Sequence, residues 1–517
     1  MNRRLVMLAV DGLDRTIVKD WVAEGRLPVL RSLMSESRTL VLDVANRPLS
    51  GAIWSDTASG VSGATHGFFH QQQLRVGSYE SHEIDAARVA SAADPFYKTL
   101  SSAGIRCAVV DFPIDHPISG FNGVQVVDWG TEFKRWHFET RPIGFASELV
   151  STYGDHPLNN YSGTRADLPG LLKLRNGMLR GIELKGRFAI DLIKRRAHDF
   201  IFFNFSELHK AGHFLWRFHD RKHFDFTAAE PALVDSLRDT YEQLDRTLGR
   251  VIAELDGNDD LILFTDRGMC ANHRGDHLVD DILLRLELAA PRRKEPSPSP
   301  LRSLHGRLFS SPRARTACRV AAQKLLPSSV RNALLPFHRA AIGAAPPFDM
   351  KRSQVFRLPT VGDSHLRVNL AGREPDGIVT PGAQYDELLA EIATKYRALI
   401  NPDTCEPAVE EIFFPAKQFS GPRSAELPDV AVVWSVEAPI NAVTSDDVGT
   451  VTGRQYDARS GNHRPDGFAL FRGPSFVAGP GEYEGDARQI APAILQYFGV
   501  ARPEHYEMEA PAEIIAA

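Results

Sequence analysis

Leu5-Val-Met-Leu-Ala-Val10-Asp11-Gly12 is a run of six apolar residues that ends abruptly on a carboxylate and a glycine. A second stretch repeats the design: Leu261-Ile-Leu-Phe-Thr265-Asp266-Arg267-Gly268. Short continuous apolar runs bounded by turn residues read as strands buried on both faces, the kind found in parallel sheets covered by helices. Further runs of this type lie at Arg106–Phe112, Asp199–Phe205 and Asp429–Trp434. Helical patterns separate them, at Thr16–Ala23 and at Glu230–Leu255. In the second of these, Leu233, Leu237, Tyr241, Leu244, Leu248, Val251 and Ile252 recur at helical spacing. Alternating strands and helices predict an α/β fold with a mostly parallel sheet sandwiched by helices. Ligands of such sheets bind beyond the carboxyl ends of the strands, which is where Asp11 and Asp266 stand.

The composition sets the frame. The chain has 517 residues, 43% hydrophobic and 24% charged, with a net charge of −5. That is an ordinary globular balance, and it predicts no nucleic-acid partner. Four scattered cysteines, Cys107, Cys270, Cys318 and Cys405, form no CxxC pair, so neither a disulfide framework nor a thiolate zinc site is expected. A reducing, cytoplasmic setting fits. The opening Met-Asn-Arg-Arg before Leu5 has the charge of a signal peptide, but its apolar run is too short and stops at Asp11. No run is long enough for a transmembrane helix.

One segment departs from this pattern. Between Pro291 and Ala340 there are eleven Lys or Arg and a single acid, Glu295, after a turn-rich Pro296-Ser-Pro-Ser-Pro300. It reads as a basic helical insertion over 291–348. It is either a solvated excursion or a lid that meets an anionic substrate or surface. The flanking parts, 1–290 and 349–517, form the α/β core in this reading, with cap elements within 70–195.

Three further polar clusters carry chemistry. Ile201-Phe-Phe-Asn-Phe-Ser-Glu-Leu-His209-Lys-Ala-Gly-His213 is an apolar run leading into two histidines four apart. On a helix they share a face, a pairing that suits zinc, although two solvated surface histidines would look the same. Ser460-Gly-Asn-His463-Arg-Pro-Asp-Gly467 places a histidine in a loop before the apolar run Phe468–Phe471, as a third imidazole or a solvated one. Arg47-Pro-Leu-Ser50 precedes a helix start. Ser50 there is either a plain N-cap or a hydroxyl aimed at an anion held by the helix N-terminus. Ser55 and Thr57 are alternative hydroxyls, but mid-helix placement would bury or misdirect them.

Taken in order, these elements resemble the type I phosphodiesterase and nucleotide pyrophosphatase branch of the alkaline phosphatase superfamily. Asp11-Gly12 matches the opening strand end. Ser50 stands nine residues ahead of Ser59-Gly60, with His66-Gly67 following and Trp54 at a frequent aromatic position. The resemblance therefore selects Ser50 as nucleophile over Ser55 and Thr57. His209 and His213 take the places of an Asp and a His. Asp266-Arg267-Gly268-Met269 stands for Asp-His-Gly-Met, and His463 for the last histidine ligand.

The resemblance implies an alkaline phosphatase-like fold and a metal-dependent hydrolase of small phosphate esters, chiefly phosphodiesters, acting through a Ser50 phosphoenzyme. The related alternatives are phosphoryl or alkylphosphoryl transfer, or a binding protein that keeps the fold without catalysis. It implies one or two divalent ions, zinc by ligand type, drawn from Asp11, Ser50, His209, His213, Asp266 and His463.

Two departures change this set. His at 209 gives one site three imidazoles. Arg at 267 removes a ligand from the other, since a guanidinium cannot bind a metal. Arg267 then pairs with Asp11 or Asp266 or reaches the phosphate, or else His273 or His277 restores the lost ligand. The sulfatase pattern, a Cys or Ser with Pro two residues on, is absent at Ser50-Gly-Ala-Ile-Trp54.

Overall fold

The computed structural model describes residues 3–42, 47–84, 89, 93–130, 137–158, 167–223, 226, 230–292, 346–360, 362–453 and 459–515. Most of the basic insertion expected at 291–348 lies outside these residues.

The strand Arg4–Val10 is buried at every position. Its residues alternate between two cores, as a period of two requires. Val6, Leu8 and Val10 face one hydrophobic cluster, while Leu5, Met7 and Ala9 face another. The first cluster is closed by the helices Arg15–Ala23, Leu168–Lys194, Glu207–His219 and Ser236–Ile252. The second is closed by Ile53–Ser59, Phe96–Ser102 and Ile490–Tyr497. This explains why the opening apolar run shows no polar alternation: both its faces are covered by helices.

Nine strands make the central sheet, in the order Gly481–Gly485, Arg38–Leu42, Gly467–Arg472, Asp259–Thr265, Arg4–Val10, Phe200–Phe205, Cys107–Val110, Gly123–Val127, Glu139–Arg141. Five neighbouring strands, from Asp259–Thr265 to Gly123–Val127, run parallel. The fold is α/β, a mostly parallel sheet between helices, as expected. In the register, Val10 lies beside Phe205 and Ala9 beside Phe264. Asp11, Ser206 and Asp266 therefore leave the sheet at the same edge.

Several boundaries and placements differ from expectation. The second helix starts at Ser236 rather than Glu230; Leu233 is buried all the same, from the turns that precede the helix. The run Asp429–Trp434 does form a strand, Val430–Trp434, but not in the central sheet. It lies in a separate four-stranded antiparallel sheet with Val355–Arg357, Ser364–Val368 and Val409–Phe413. With the helix Ala383–Arg397, that sheet packs a core of its own. An apolar strand run reports burial but not which sheet buries it.

Cap elements were expected within 70–195. There, the described segments Phe96–Ser102, Cys107–Val110, Gly123–Val127, Glu139–Arg141 and Leu168–Lys194 belong to the central sheet and its flanking helices. The short hairpin of Gln72–Leu74 and Ser81–Glu83 stands outside it. The strands of the separate antiparallel unit lie between 348 and 452, and Leu49, Phe69, Leu278, Ile282 and Leu283 join its core.

Candidate metal centre

Helix Glu207–His219 begins directly after the strand Phe200–Phe205, so its first turn stands over the carboxyl edge of the sheet. His209 and His213, one turn apart, present their rings to the same side. Gly12 makes the close approach possible. It has φ of 78°, and a Cβ there would stand 3.0 Å from the His209 Cα. Only glycine combines that backbone with that proximity.

His463 arrives from the far end of the chain. The expected loop is instead a short strand, Gly461–Arg464, paired antiparallel with Gly268–Ala271 and placing His463 opposite Met269. This two-stranded ladder begins two residues after Asp266, so the pairing binds the late histidine to the edge of the sheet. A Cβ on Gly461 would stand 2.2 Å from the Gly212 carbonyl oxygen, which shows how tightly strand and helix are pressed together.

The three imidazoles converge. Their ring centroids are 4.6–4.8 Å apart, and one ligand atom from each lies within 4.8 Å of the others. Two close contacts orient the rings. His209 Nδ1 lies 2.8 Å from Asp11 Oδ2 as an ion-pair contact, and His213 Nδ1 lies 2.9 Å from the Gly461 carbonyl oxygen. A carbonyl cannot donate, so His213 donates from Nδ1 and carries a lone pair on Nε2. Those two Nε2 atoms are 3.0 Å apart.

Burial holds the His213 imidazole well below its usual pKa, and the His209 and Arg459 charges add to the effect. His463 is lowered likewise by burial and by Arg267, and its Nδ1 is buried without a hydrogen-bond partner. Protonation of His213 and His463 is therefore disfavoured. A cation is what such a donor set fits, and three imidazole nitrogens suit zinc.

The two carboxylates lie beside the trio. Gly12 N is 3.4 Å from Asp266 Oδ1, and Arg267 Nε donates to Asp266 Oδ2. Burial pushes Asp266 up to about 7; Arg267 opposes that shift and the Asp11 charge reinforces it. Burial also works against the Asp11 carboxylate, but His209 and Arg267 outweigh it, and its pKa lies below the ordinary value. Of the two, Asp11 is the one that stays ionised.

The remaining candidates fall as follows. Ser50 sits in the 3-10 segment Arg47–Ala52, which leads into the helix Ile53–Ser59; its side chain lies outside what the structure describes. Ser55 and Thr57 are buried in that helix, facing away from solvent. Trp54 packs edge-on against Phe112, Phe202 and Phe264, which makes it a core residue. His66 is closed off by Asp56, at 2.6 Å from its Nε2.

His273 turns its Nδ1 to the Val436 carbonyl oxygen, at 3.0 Å. Neither it nor His277 joins the one group of metal-ligating type among the described residues. Two features went unread in the sequence: the Asp11 contact to His209 and the Gly461 carbonyl behind His213. No local pattern signals either, because the partners are separated by about two hundred residues or more.

The family model for type I phosphodiesterase / nucleotide pyrophosphatase matches residues 5–324, more than half of the chain. No curated protein matches the chain significantly in sequence. Solved structures resemble it at low identity. One is murine ectonucleotide pyrophosphatase / phosphodiesterase 5 as an inactive variant in complex with AMP, 10% identical, covering 97% of this chain and 96% of that one with a TM-score of 0.49. Another is phosphonoacetate hydrolase from Sinorhizobium meliloti 1021 in complex with phosphonoformate, 12% identical, covering 91% and 89% with a TM-score of 0.48.

Proposed function

The chain belongs to the type I phosphodiesterase / nucleotide pyrophosphatase family of the alkaline phosphatase superfamily, and from that premise we propose that it hydrolyses small phosphate esters, phosphodiesters foremost, using Ser50 as nucleophile and a divalent ion at His209, His213 and His463. Membership carries the coarse class, phosphoester hydrolysis. The finer reading is supported by one observation: His209, His213 and His463 bring one ligand atom each to within 4.8 Å of one another in a buried pocket. Three imidazole nitrogens so placed suit a divalent cation.

A divalent ion held by these imidazoles, with zinc favoured by the ligand type, supplies positive charge against the oxygens that gain charge during phosphoryl transfer. The chain's own residues do the rest. Ser50 Oγ attacks phosphorus in line, the Ser50 Oγ–P bond forms, and the ester P–O bond breaks as the alcohol leaves with a proton. Water then attacks the phosphoserine, the Oγ–P bond breaks, the phosphate product departs, and Ser50 recovers its proton. Arg267, buried at the same edge, contributes a fixed cation facing Asp266 and the approaching anion. It remains protonated throughout and serves as neither base nor acid.

We place the enzyme in the cytoplasm. Cys405 is exposed and unpaired, a state that persists in reducing surroundings. Among the described residues no helix is long and apolar enough to cross a membrane.

The test is metal analysis of the purified chain with turnover of a panel of phosphodiesters, phosphomonoesters and sulfate esters. Diesters are expected to be cleaved fastest. Ser50→Ala is expected to abolish turnover while the metal stays bound. Undiminished turnover in that variant would reject Ser50 as the nucleophile.

A further inference from the structure

Two buried carboxylates at adjacent strand ends, Asp11 and Asp266, would ordinarily invite an ion of their own. In this chain each is already engaged by a side chain. Asp11 Oδ2 is 2.8 Å from His209 Nδ1, and Asp266 Oδ2 accepts from Arg267 Nε. We propose that Asp11 is a positioning residue that fixes His209 for the imidazole trio rather than a ligand to an ion of its own, and that the pocket takes one divalent ion per chain.

The geometry is that of a carboxylate behind a ligating histidine. Such a partner locks the ring tautomer, raises the basicity of the opposite nitrogen and holds the ring in plane. The Gly461 carbonyl does the same for His213. The trio thus has two of its three rings supported from behind, one by a charged acceptor and one by the backbone.

Charge accounting gives the stoichiometry. Asp11 and Asp266 carry at most −2, which a dication between them would balance; Asp266, pushed up to about 7, brings less than a full charge. Arg267, buried against Asp266, reduces the total to at most −1. A second dication there would leave at least +1 beside the +2 of the trio, in a pocket where burial strengthens repulsion. Asp11 Oδ1 is buried without a hydrogen-bond partner, yet the Arg267 charge already acts on this carboxylate.

The inference rests on the reading that the trio binds a divalent ion, and metal counting separates the two. The full chain, stripped with a chelator and desalted, is titrated with Zn2+ and, separately, with Co2+. Bound metal is measured by elemental analysis, and the Co2+ site by its visible absorption. Wild type is expected to hold one equivalent. Asp11→Ala is expected to keep one equivalent at about 10- to 100-fold weaker affinity, with a changed Co2+ spectrum. Asp11→Asn retains an acceptor oxygen for His209 Nδ1 and is expected to restore both.

Two equivalents in wild type, falling to one in Asp11→Ala, would overturn the inference and leave the trio intact. Unchanged affinity and spectrum in Asp11→Ala would overturn it as well. No bound metal in wild type would sink the trio itself. Should Asp11→Ala fail to fold by circular dichroism, the wild-type count and Asp11→Asn still decide.

Discussion

One helix turn separates two ways of burying charge. Glu207 and His209 are two residues apart on the helix Glu207–His219 and so point to different sides. On the Glu207 side lies Lys185, with no solvent exposure. Its ammonium donates to the Gly130 carbonyl at 3.0 Å, the Asn204 carbonyl at 2.9 Å and Ser206 Oγ at 3.3 Å. Asp111 and Glu207 each stand 3.6 Å from it, and His156 Nε2 lies 2.8 Å from Glu207. Here the chain supplies its own cation, and all three ammonium protons are used. On the His209 side, three imidazoles converge on one point and two of the rings are held from behind. The first arrangement carries its own cation; the second, in the reading proposed above, takes one from outside. That contrast separates a structural network from a binding site more sharply than burial or charge content, which the two share.

The largest effect is expected on the closed side. Lys185→Met leaves Asp111 and Glu207 buried without their cation, and breaking such a cluster costs about 3–5 kcal/mol. Urea unfolding of the metal-free chain measures it; a loss below 1 kcal/mol would mean that the network is solvated. On the open side, His213→Ala is expected to remove tight zinc binding with little change in metal-free stability, because the deleted ring leaves no charge stranded.

A smaller effect comes from metal itself. Zinc at about a hundredfold excess over its dissociation constant is expected to stabilise wild type by about 2.7 kcal/mol. Chelator should reverse this, and His213→Ala should show no such increment.

A pH-dependent effect isolates an imidazole buried outside the pocket. Burial lowers His198 to about 4, with Arg106 and Arg195 adding to the effect. The folded state therefore keeps this ring neutral while the unfolded chain protonates it near pH 6.5. Stability is full above that pH and is lost as pH falls towards 4, at up to about 1.4 kcal/mol per pH unit. His198→Gln should flatten this part of the profile, measured as unfolding midpoint against pH, without altering zinc affinity.

Much of the fold could be read along the chain because each central strand is buried on both faces, and such strands are written as unbroken apolar runs. Arg4–Val10 and Asp259–Thr265 came out within two residues of their expected bounds. The histidine pair was legible for the same local reason, since a spacing of four on a helix is a statement about one face. The course of Val430–Trp434 was not legible, because an apolar strand carries no address for its sheet. Nor was the strand character of Gly461–Arg464, whose Gly, Asn and Arg have poor strand propensity and depend on Gly268–Ala271 for their ladder.

The amino-acid sequence by itself determined the strand ends where carboxylates emerge, the helical pairing of His209 with His213, and the presence of Arg267 beside Asp266. Only the tertiary structure decided that His463 completes the trio and that Asp11 stands behind His209. The physical reason is range. Propensity and periodicity act over a few residues, whereas the contact between Asp11 and His209 exists only once two parallel strands have aligned their ends.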